Sequence, residues 1–304
     1  MPARLWSLIR LGRPLFLLGG VVLNGLGVAM ARWSGFPIDV AALLLGQVTI
    51  TASQLMTHFS NEYFDLPADR ANPTPTAWAG GSRVLTDGAL APRTALVAAL
   101  ISAAVAVTGA LVLGVVVRPE PSTFVLVGSA LALAWGYSSP PLRLHGRGLG
   151  EVVGAVLIAG LTPLVGYVIQ VGHVDAWAVA TVAPLCALQF VMLVAVSLPD
   201  AVGDAAVGKR TLAVRFGRRR TARLAAAVLA GAYALGLPLA LRAGMPEVAG
   251  MAYLAWLPLA IWQAWRLATR VSESGGPWDS LSFWSIGLVV GSAATVALGL
   301  WWAG

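Results

Sequence analysis

Apolar residues along the chain gather into nine runs, at 14 to 32, 40 to 60, 94 to 117, 123 to 137, 151 to 171, 176 to 198, 224 to 241, 248 to 265 and 281 to 303. A helix needs roughly 20 such residues to cross about 30 Å of hydrocarbon, and all but the short fourth run approach that length. The pattern predicts an all-α polytopic membrane protein of nine transmembrane helices, with residues 1–304 forming one domain.

Composition agrees: 58% of residues are hydrophobic and 11% charged, where a soluble domain carries about 25% charged residues. The single cysteine, Cys186, excludes an intramolecular disulfide and a cysteine-rich metal site. A net charge of +7 raises nucleic acid as a partner, so the placement of the cations has to decide. Arg4, Arg10, Arg13, Arg70, Arg83, Arg93, Arg143, Arg147, Lys209, Arg210, Arg215, Arg218, Arg219, Arg220, Arg223, Arg266 and Arg270 fall on one side of the predicted spans, 17 of the 20. Arg32, Arg118 and Arg242 fall on the other. The positive-inside rule makes the first side cytoplasmic, with the amino terminus inside and the carboxyl terminus outside. Arginines 218, 219, 220 and 223 then face lipid headgroups, and nucleic acid is excluded as a partner. The first run ends in Ala29-Met30-Ala31, which resembles a signal-peptide cleavage site, but it is longer than a signal core and reads as the first span. Trp6, Trp33, Trp177, Trp278, Trp301 and Trp302 fall near helix ends as interfacial anchors.

Nine of the 13 acids lie on the predicted cytoplasmic side, in two notable clusters. One is Asn61-Glu62-Tyr63-Phe64-Asp65-Leu66-Pro67-Ala68-Asp69-Arg70, at the end of the second span, and the other is Pro199-Asp200-Ala201-Val202-Gly203-Asp204, at the end of the sixth. Residues i and i+4 share a helix face, so Asn61, Asp65 and Asp69 form one column of oxygen ligands and Asp200 and Asp204 another, with Pro67 a possible source of distortion. Asp65 and Asp200 are 135 residues apart, as are Asp69 and Asp204. That spacing predicts a pseudo-two-fold bundle, four helices plus four plus one, whose acidic columns meet across a central cavity. Facing carboxylates require cations, and an all-oxygen donor set suits Mg²⁺ shared with substrate phosphates. Arg70, Gly80-Gly81-Ser82-Arg83, Lys209 and Arg210 supply groups that suit an anionic ligand. His58 and His145 read as structural or loop residues, and Glu151 as a favourable charge at a helix amino end.

Asn61-x-x-x-Asp65-x-x-x-Asp69 with Asp200-x-x-x-Asp204 resembles the signature of the UbiA superfamily of intramembrane prenyltransferases. The resemblance extends through Tyr137-Ser138-Ser139-Pro140-Pro141-Leu142-Arg143-Leu144, Arg147-Gly148-Leu149-Gly150-Glu151 and Gly208-Lys209-Arg210-Thr211-Leu212-Ala213-Val214-Arg215. The last two stretches look most like the 1,4-dihydroxy-2-naphthoate prenyltransferases of menaquinone biosynthesis. Two departures stand out: Glu62 replaces a frequent aspartate, and the loop from Asn72 to Arg83 lacks the Arg-Pro stretch common in 4-hydroxybenzoate enzymes. The first is minor, and the second argues against ubiquinone synthesis.

The resemblance implies Mg²⁺-dependent transfer of a polyprenyl group from its diphosphate to an aromatic acceptor at the cytoplasmic face of a bacterial membrane. It implies that Asp65, Asp69, Asp200 and Asp204 hold the metal, while Arg70, Ser82, Arg83, Lys209 and Arg210 meet the diphosphate. Asn61 would supply a neutral ligand or position a carboxylate, and Tyr137 and Arg143 would cover the reacting carbon or the diphosphate. Acceptors other than the naphthoate, such as 4-hydroxybenzoate, form the nearest alternative. A cation-coupled transporter is disfavoured because its charges should sit near the bilayer midplane. A CDP-alcohol phosphotransferase is disfavoured because its continuous Asp-x-x-Asp-Gly-x-x-Ala-Arg pattern is absent.

Overall fold

The structure, a computed structural model, describes residues 2–304, and their regular secondary structure is entirely helical. Fourteen helical segments follow one another: α1 (Pro2–Leu11), α2 (Pro14–Trp33), α3 (Val40–Phe64), α4 (Leu66–Ala71), α5 (Pro92–Val117), α6 (Pro121–Gly136) and α7 (Gly150–Val171), then α8 (Ala176–Ser197), α9 (Ala201–Ala206), α10 (Leu212–Phe216), α11 (Arg218–Arg242), α12 (Glu247–Leu254), α13 (Leu257–Thr269) and α14 (Trp278–Ala303). Local sequence sets many of the starts. Prolines occupy the first turns of α2, α4, α5, α6 and α13, where a missing N–H costs nothing, and the Asp39 carboxylate accepts from Ala42 N at 3.0 Å to cap α3.

Seven helices, α2, α3, α5, α7, α8, α11 and α14, are long and apolar enough to cross a membrane. The protein is therefore an integral membrane protein, but two of the nine expected spans are not single long helices. The run at 123–137 forms the 16-residue α6. The run at 248–265 divides into α12 and α13, because the chain turns at Ala255–Trp256 and restarts with Pro258 in the first turn of α13.

Large apolar side chains such as Leu44, Val48, Ile101, Val116 and Leu235 are exposed on the outside of the bundle, as a lipid-facing surface requires. Inside, small residues bring helices close. A Cβ on Gly27 would lie 2.1 Å from Pro163 O, and one on Gly166 would lie 2.7 Å from Asn24 O, so α2 and α7 cross backbone to backbone.

The short helices matter most for the site. Helix α4 follows α3 through Asp65, and α9 follows α8 through a turn ending at Asp200. Both are six residues long, and their limits differ by the same 135 positions as the aspartates. They pack against each other at Gly203, where a Cβ would lie 2.6 Å from Ala68 O.

Candidate active site

Neither aspartate pair lies on one uninterrupted helix. Asp65 ends α3 and caps α4, with Pro67 in the first turn of α4, yet Asp65 N still donates to Asn61 O at 2.8 Å and Asp69 N to Asp65 O at 2.9 Å. The break therefore bends the column and keeps its i, i+4 register. Asp204 N likewise donates to Asp200 O at 2.9 Å.

Lys209 joins the two columns. Its ammonium lies 2.9 Å from Asp65 Oδ1 and 3.1 Å from Asp204 Oδ1. Burial alone would lower the Lys209 pKa, but the two carboxylates raise it above the ordinary lysine value. Asn61 Nδ2 donates to Asp65 Oδ2 at 2.5 Å and to Ser138 Oγ at 2.9 Å, and Asn72 Nδ2 donates to Asp200 Oδ1 at 2.6 Å. The remaining carboxylates are short of positive charge. Burial, then the charges of Asp65 and Glu62, push Asp69 up to about 7. Burial, then Asp204 and Asp69, push Asp200 up to about 8. Asp204 Oδ2 is buried with no hydrogen-bond partner.

This donor set fits a hard divalent cation, since it is all oxygen and one buried acceptor is unmet. Among the described residues no three His, Cys, Asp or Glu side chains converge closely enough to hold a metal ion by themselves. Such a site calls for further oxygens from a ligand, the usual arrangement for Mg²⁺.

The loop after α4 closes over the acids. Gly80 and Gly81 have φ of 81° and 75°, a region that L side chains rarely adopt. Gly81 is also required by contact, because a Cβ there would lie 2.4 Å from Asp69 Oδ2. Three tethers fix the loop: Thr74 Oγ1 to Pro199 O at 3.0 Å, Ala77 N to Asp279 Oδ1 at 3.0 Å, and Ser82 N to Glu62 Oε1 at 2.6 Å.

Beneath the acids runs a cavity of about 310 Å³ with mostly apolar walls, reaching into the bundle as far as Ile50, Val127 and Val165. Asn61, Asp65, Asp69, Tyr137, Asp200, Asp204 and Lys209 line it. Five other sequence-predicted residues do not. Arg70, Arg143 and Arg210 are exposed, with the Arg143 guanidinium 6.0 Å from the Phe64 ring centre. Arg83 donates to Asp69 O at 2.9 Å, and Ser82 Oγ donates to Glu62 Oε2 at 2.8 Å.

Several lining residues carried little or no signal in the sequence. Arg13, with a positive φ of 51°, bonds Glu62 Oε1 at 3.1 Å and reaches the cavity. His145 stacks on Tyr137 with ring centres 5.2 Å apart, where a plain loop residue was expected. His58 also lines the cavity, but its Nδ1 is 2.8 Å from Gly12 O, the structural role expected. Glu151 does begin α7, yet its side chain is buried against the cavity and makes no cap hydrogen bond.

The basic run after α10 also differs from expectation. Arg218 is buried rather than facing headgroups: its guanidinium donates to Leu198 O at 3.0 Å and Pro199 O at 3.1 Å, immediately before Asp200. Its neighbours Arg219, Arg220 and Arg223 are exposed.

The chain resembles known proteins over most of its length. It is 31% identical over 245 residues to the 1,4-dihydroxy-2-naphthoate octaprenyltransferase of Mycobacterium tuberculosis (74% of this chain, 80% of that one). It is 26% identical over 231 residues to the enzyme of that name from Bacillus subtilis (75% and 71%). Its fold matches a UbiA homolog from Archaeoglobus fulgidus bound to DMAPP and Mg²⁺, with a TM-score of 0.67, 16% identity and coverage of 96% and 99%. It also matches the apo UbiA homolog from Aeropyrum pernix K1, with a TM-score of 0.66, 18% identity and coverage of 91% and 96%. A model of the UbiA prenyltransferase family matches residues 21–287, and the chain accordingly belongs to that family.

Proposed function

We propose that the protein transfers a polyprenyl group from a polyprenyl diphosphate to 1,4-dihydroxy-2-naphthoate in a Mg²⁺-dependent reaction, giving demethylmenaquinol, the reduced form of demethylmenaquinone, with carbon dioxide and diphosphate. The observation that carries this reading is the meeting of two aspartate columns and Lys209 at the mouth of a long apolar cavity. A diphosphate suits the charged mouth and a polyprenyl chain suits the walls. The naphthoate as acceptor is supported by the names of the two bacterial relatives.

Asp65, Asp69, Asp200 and Asp204 would hold Mg²⁺ together with diphosphate oxygens, and the ion, when bound, supplies charge neutralisation of the leaving group. Asn61 keeps Asp65 turned toward the site through its 2.5 Å bond. Lys209 meets the charge that develops on the diphosphate as the allylic C–O bond breaks. Tyr137, stacked on His145, offers an aromatic face to the allylic cation. The exposed Arg70, Arg143 and Arg210 attract the incoming anion, whereas Ser82 and Arg83 hold the loop that excludes water.

We read residues 1–304 as one prenyltransferase domain of nine membrane crossings with a pseudo-two-fold plan. Matched helices α4 and α9 support that plan, with α6 as a short crossing and α12 with α13 as a broken one. The charge asymmetry supports placing the aspartates at the cytoplasmic face of a bacterial membrane, with the amino terminus inside and the carboxyl terminus outside. The test is an assay of membranes containing the protein with Mg²⁺, labelled polyprenyl diphosphate, and a panel including dihydroxynaphthoate and 4-hydroxybenzoate. Label should pass to dihydroxynaphthoate. Preference for 4-hydroxybenzoate would overturn the acceptor, and no turnover by folded protein would overturn the reaction.

A further inference from the structure

We propose that Glu151 receives the aromatic acceptor, binding a ring hydroxyl and taking its proton as the new carbon–carbon bond forms. The inference rests on the prenyl-transfer reading above. Glu151 is 2% exposed and lines the cavity at the first turn of α7. Its Oε1 meets only the Ser197 hydroxyl, at 3.5 Å, and its Oε2 is buried with no hydrogen-bond partner. Among the described residues it joins no ion pair, whereas Asp65 and Asp204 share Lys209. A buried carboxylate oxygen left unmatched is costly, so the group that faces it must be a hydrogen-bond donor. A diphosphate has only acceptors to offer there and would be repelled.

The surroundings fit a flat ring that carries a hydroxyl. One turn along α7, Gly154 lets the helix pack closely on the cavity wall, since a Cβ there would lie 2.7 Å from Leu193 Cδ1 and 3.4 Å from Tyr137 Cε2, and this sets Glu151 within one helical turn of the tyrosine. Leu157, Ile158 and Leu193 continue an apolar wall along the cavity. Tyr137 and Glu151 line the same cavity as Asp65 and Asp204, and the Tyr137 ring edge approaches Gly154 on the helix that carries Glu151, which puts the proposed acceptor subsite in the same cavity as the aspartates.

The step balances without an outside reagent. The hydroxyl proton passes to Glu151 Oε2 as its oxygen becomes a ring carbonyl. A ring carbon then bonds the allylic carbon, and the electron pair of the allylic C–O bond leaves on the diphosphate. When the group displaced from the ring is carbon dioxide, its bonding pair restores aromaticity and the ring oxygen recovers the proton from Glu151. A phenolic hydroxyl has a pKa of about 10, so near neutral pH this route needs a base at hand.

The test compares wild type, Glu151→Gln and Glu151→Asp for turnover with dihydroxynaphthoate and, separately, for Mg²⁺-dependent binding of labelled geranyl diphosphate. Glu151→Gln should lose at least about 100-fold in kcat, a typical general-base contribution, while the donor Kd stays within threefold, and Glu151→Asp should recover part of the loss. Near wild-type turnover in Glu151→Gln, or loss of donor binding together with turnover, would overturn the proposal. Should the glutamine variant not fold, wild type decides: methylating the ring hydroxyls must abolish turnover, and turnover of the methyl ether would overturn it. Failure of wild type with every acceptor would instead count against prenyl transfer itself.

Discussion

The Lys209 ammonium lies 2.9 Å from Asp65 Oδ1 although 144 positions separate the two residues, and it also holds Asp204 from the second column. The only lysine in the chain thus closes the gap between the aspartate motifs. Replacing Lys209 by Gln removes charge-assisted bonds worth about 1.5–3 kcal/mol each, so the donor Kd should rise by roughly 10- to 100-fold. Equilibrium binding of labelled geranyl diphosphate measures it, and an unchanged Kd would remove Lys209 from the diphosphate site.

Gly81 is held between a positive φ of 75° and the Asp69 carboxylate. Gly81→Ala adds about 1–2 kcal/mol of backbone strain and a Cβ 2.4 Å from Asp69 Oδ2, so turnover should fall at least tenfold. Gly88 is the control, because its φ is 72° and a Cβ there meets nothing within 4 Å. Gly88→Ala should lose stability but keep its kcat. Equal kcat in both variants would mean that Asp69 does not depend on this approach.

Ser82 donates twice to Glu62, through its backbone N and its hydroxyl. Ser82→Ala keeps the backbone bond and removes the hydroxyl's donation to Glu62 and its acceptance from Val84 N, worth about 1 kcal/mol each, so thermal stability should drop slightly while the donor Kd stays within threefold. A tenfold weaker donor Kd with unchanged melting would place Ser82 on the diphosphate, as the sequence alone suggested.

Arg218 satisfies the carbonyls of Leu198 and Pro199 just ahead of Asp200. Its backbone N also donates to Glu273 Oε2 at 3.0 Å. Arg218→Gln removes charge-assisted bonds to carbonyls worth about 1.5–3 kcal/mol each, so it should lower the melting temperature clearly and should weaken donor binding by moving Asp200. The exposed Arg219→Gln serves as control. Unchanged melting and donor binding in Arg218→Gln would show that the second motif holds its geometry without this clamp.

The two aspartate pairs were legible because i, i+4 spacing and an interval of 135 residues are properties of the sequence itself. Pro67 announced a bend, but not that the backbone hydrogen bonds at Asp65 and Asp69 would carry the register through it. Hydropathy could not separate a crossing from a broken helix at 248–265, since the turn at Ala255–Trp256 leaves the run apolar. The arginine run at 218–220 illustrates another limit. Adjacent residues point about 100° apart around a helix, and only packing against the end of α8 selects Arg218 for burial. Glu151 was equally ambiguous, because an acid at a helix amino end is favourable wherever its side chain points. Its contact with Ser197 depends on how α7 and α8 meet.

The central claim is that both aspartate columns act on one diphosphate, and the most direct measurement is Mg²⁺-dependent binding and turnover of labelled polyprenyl diphosphate by purified Asp65→Ala and Asp200→Ala beside wild type. Each variant should express and fold, bind donor at least 100-fold more weakly in Mg²⁺, a loss of about 2.8 kcal/mol, and yield no prenylated dihydroxynaphthoate. Full binding and turnover in either variant would contradict the account.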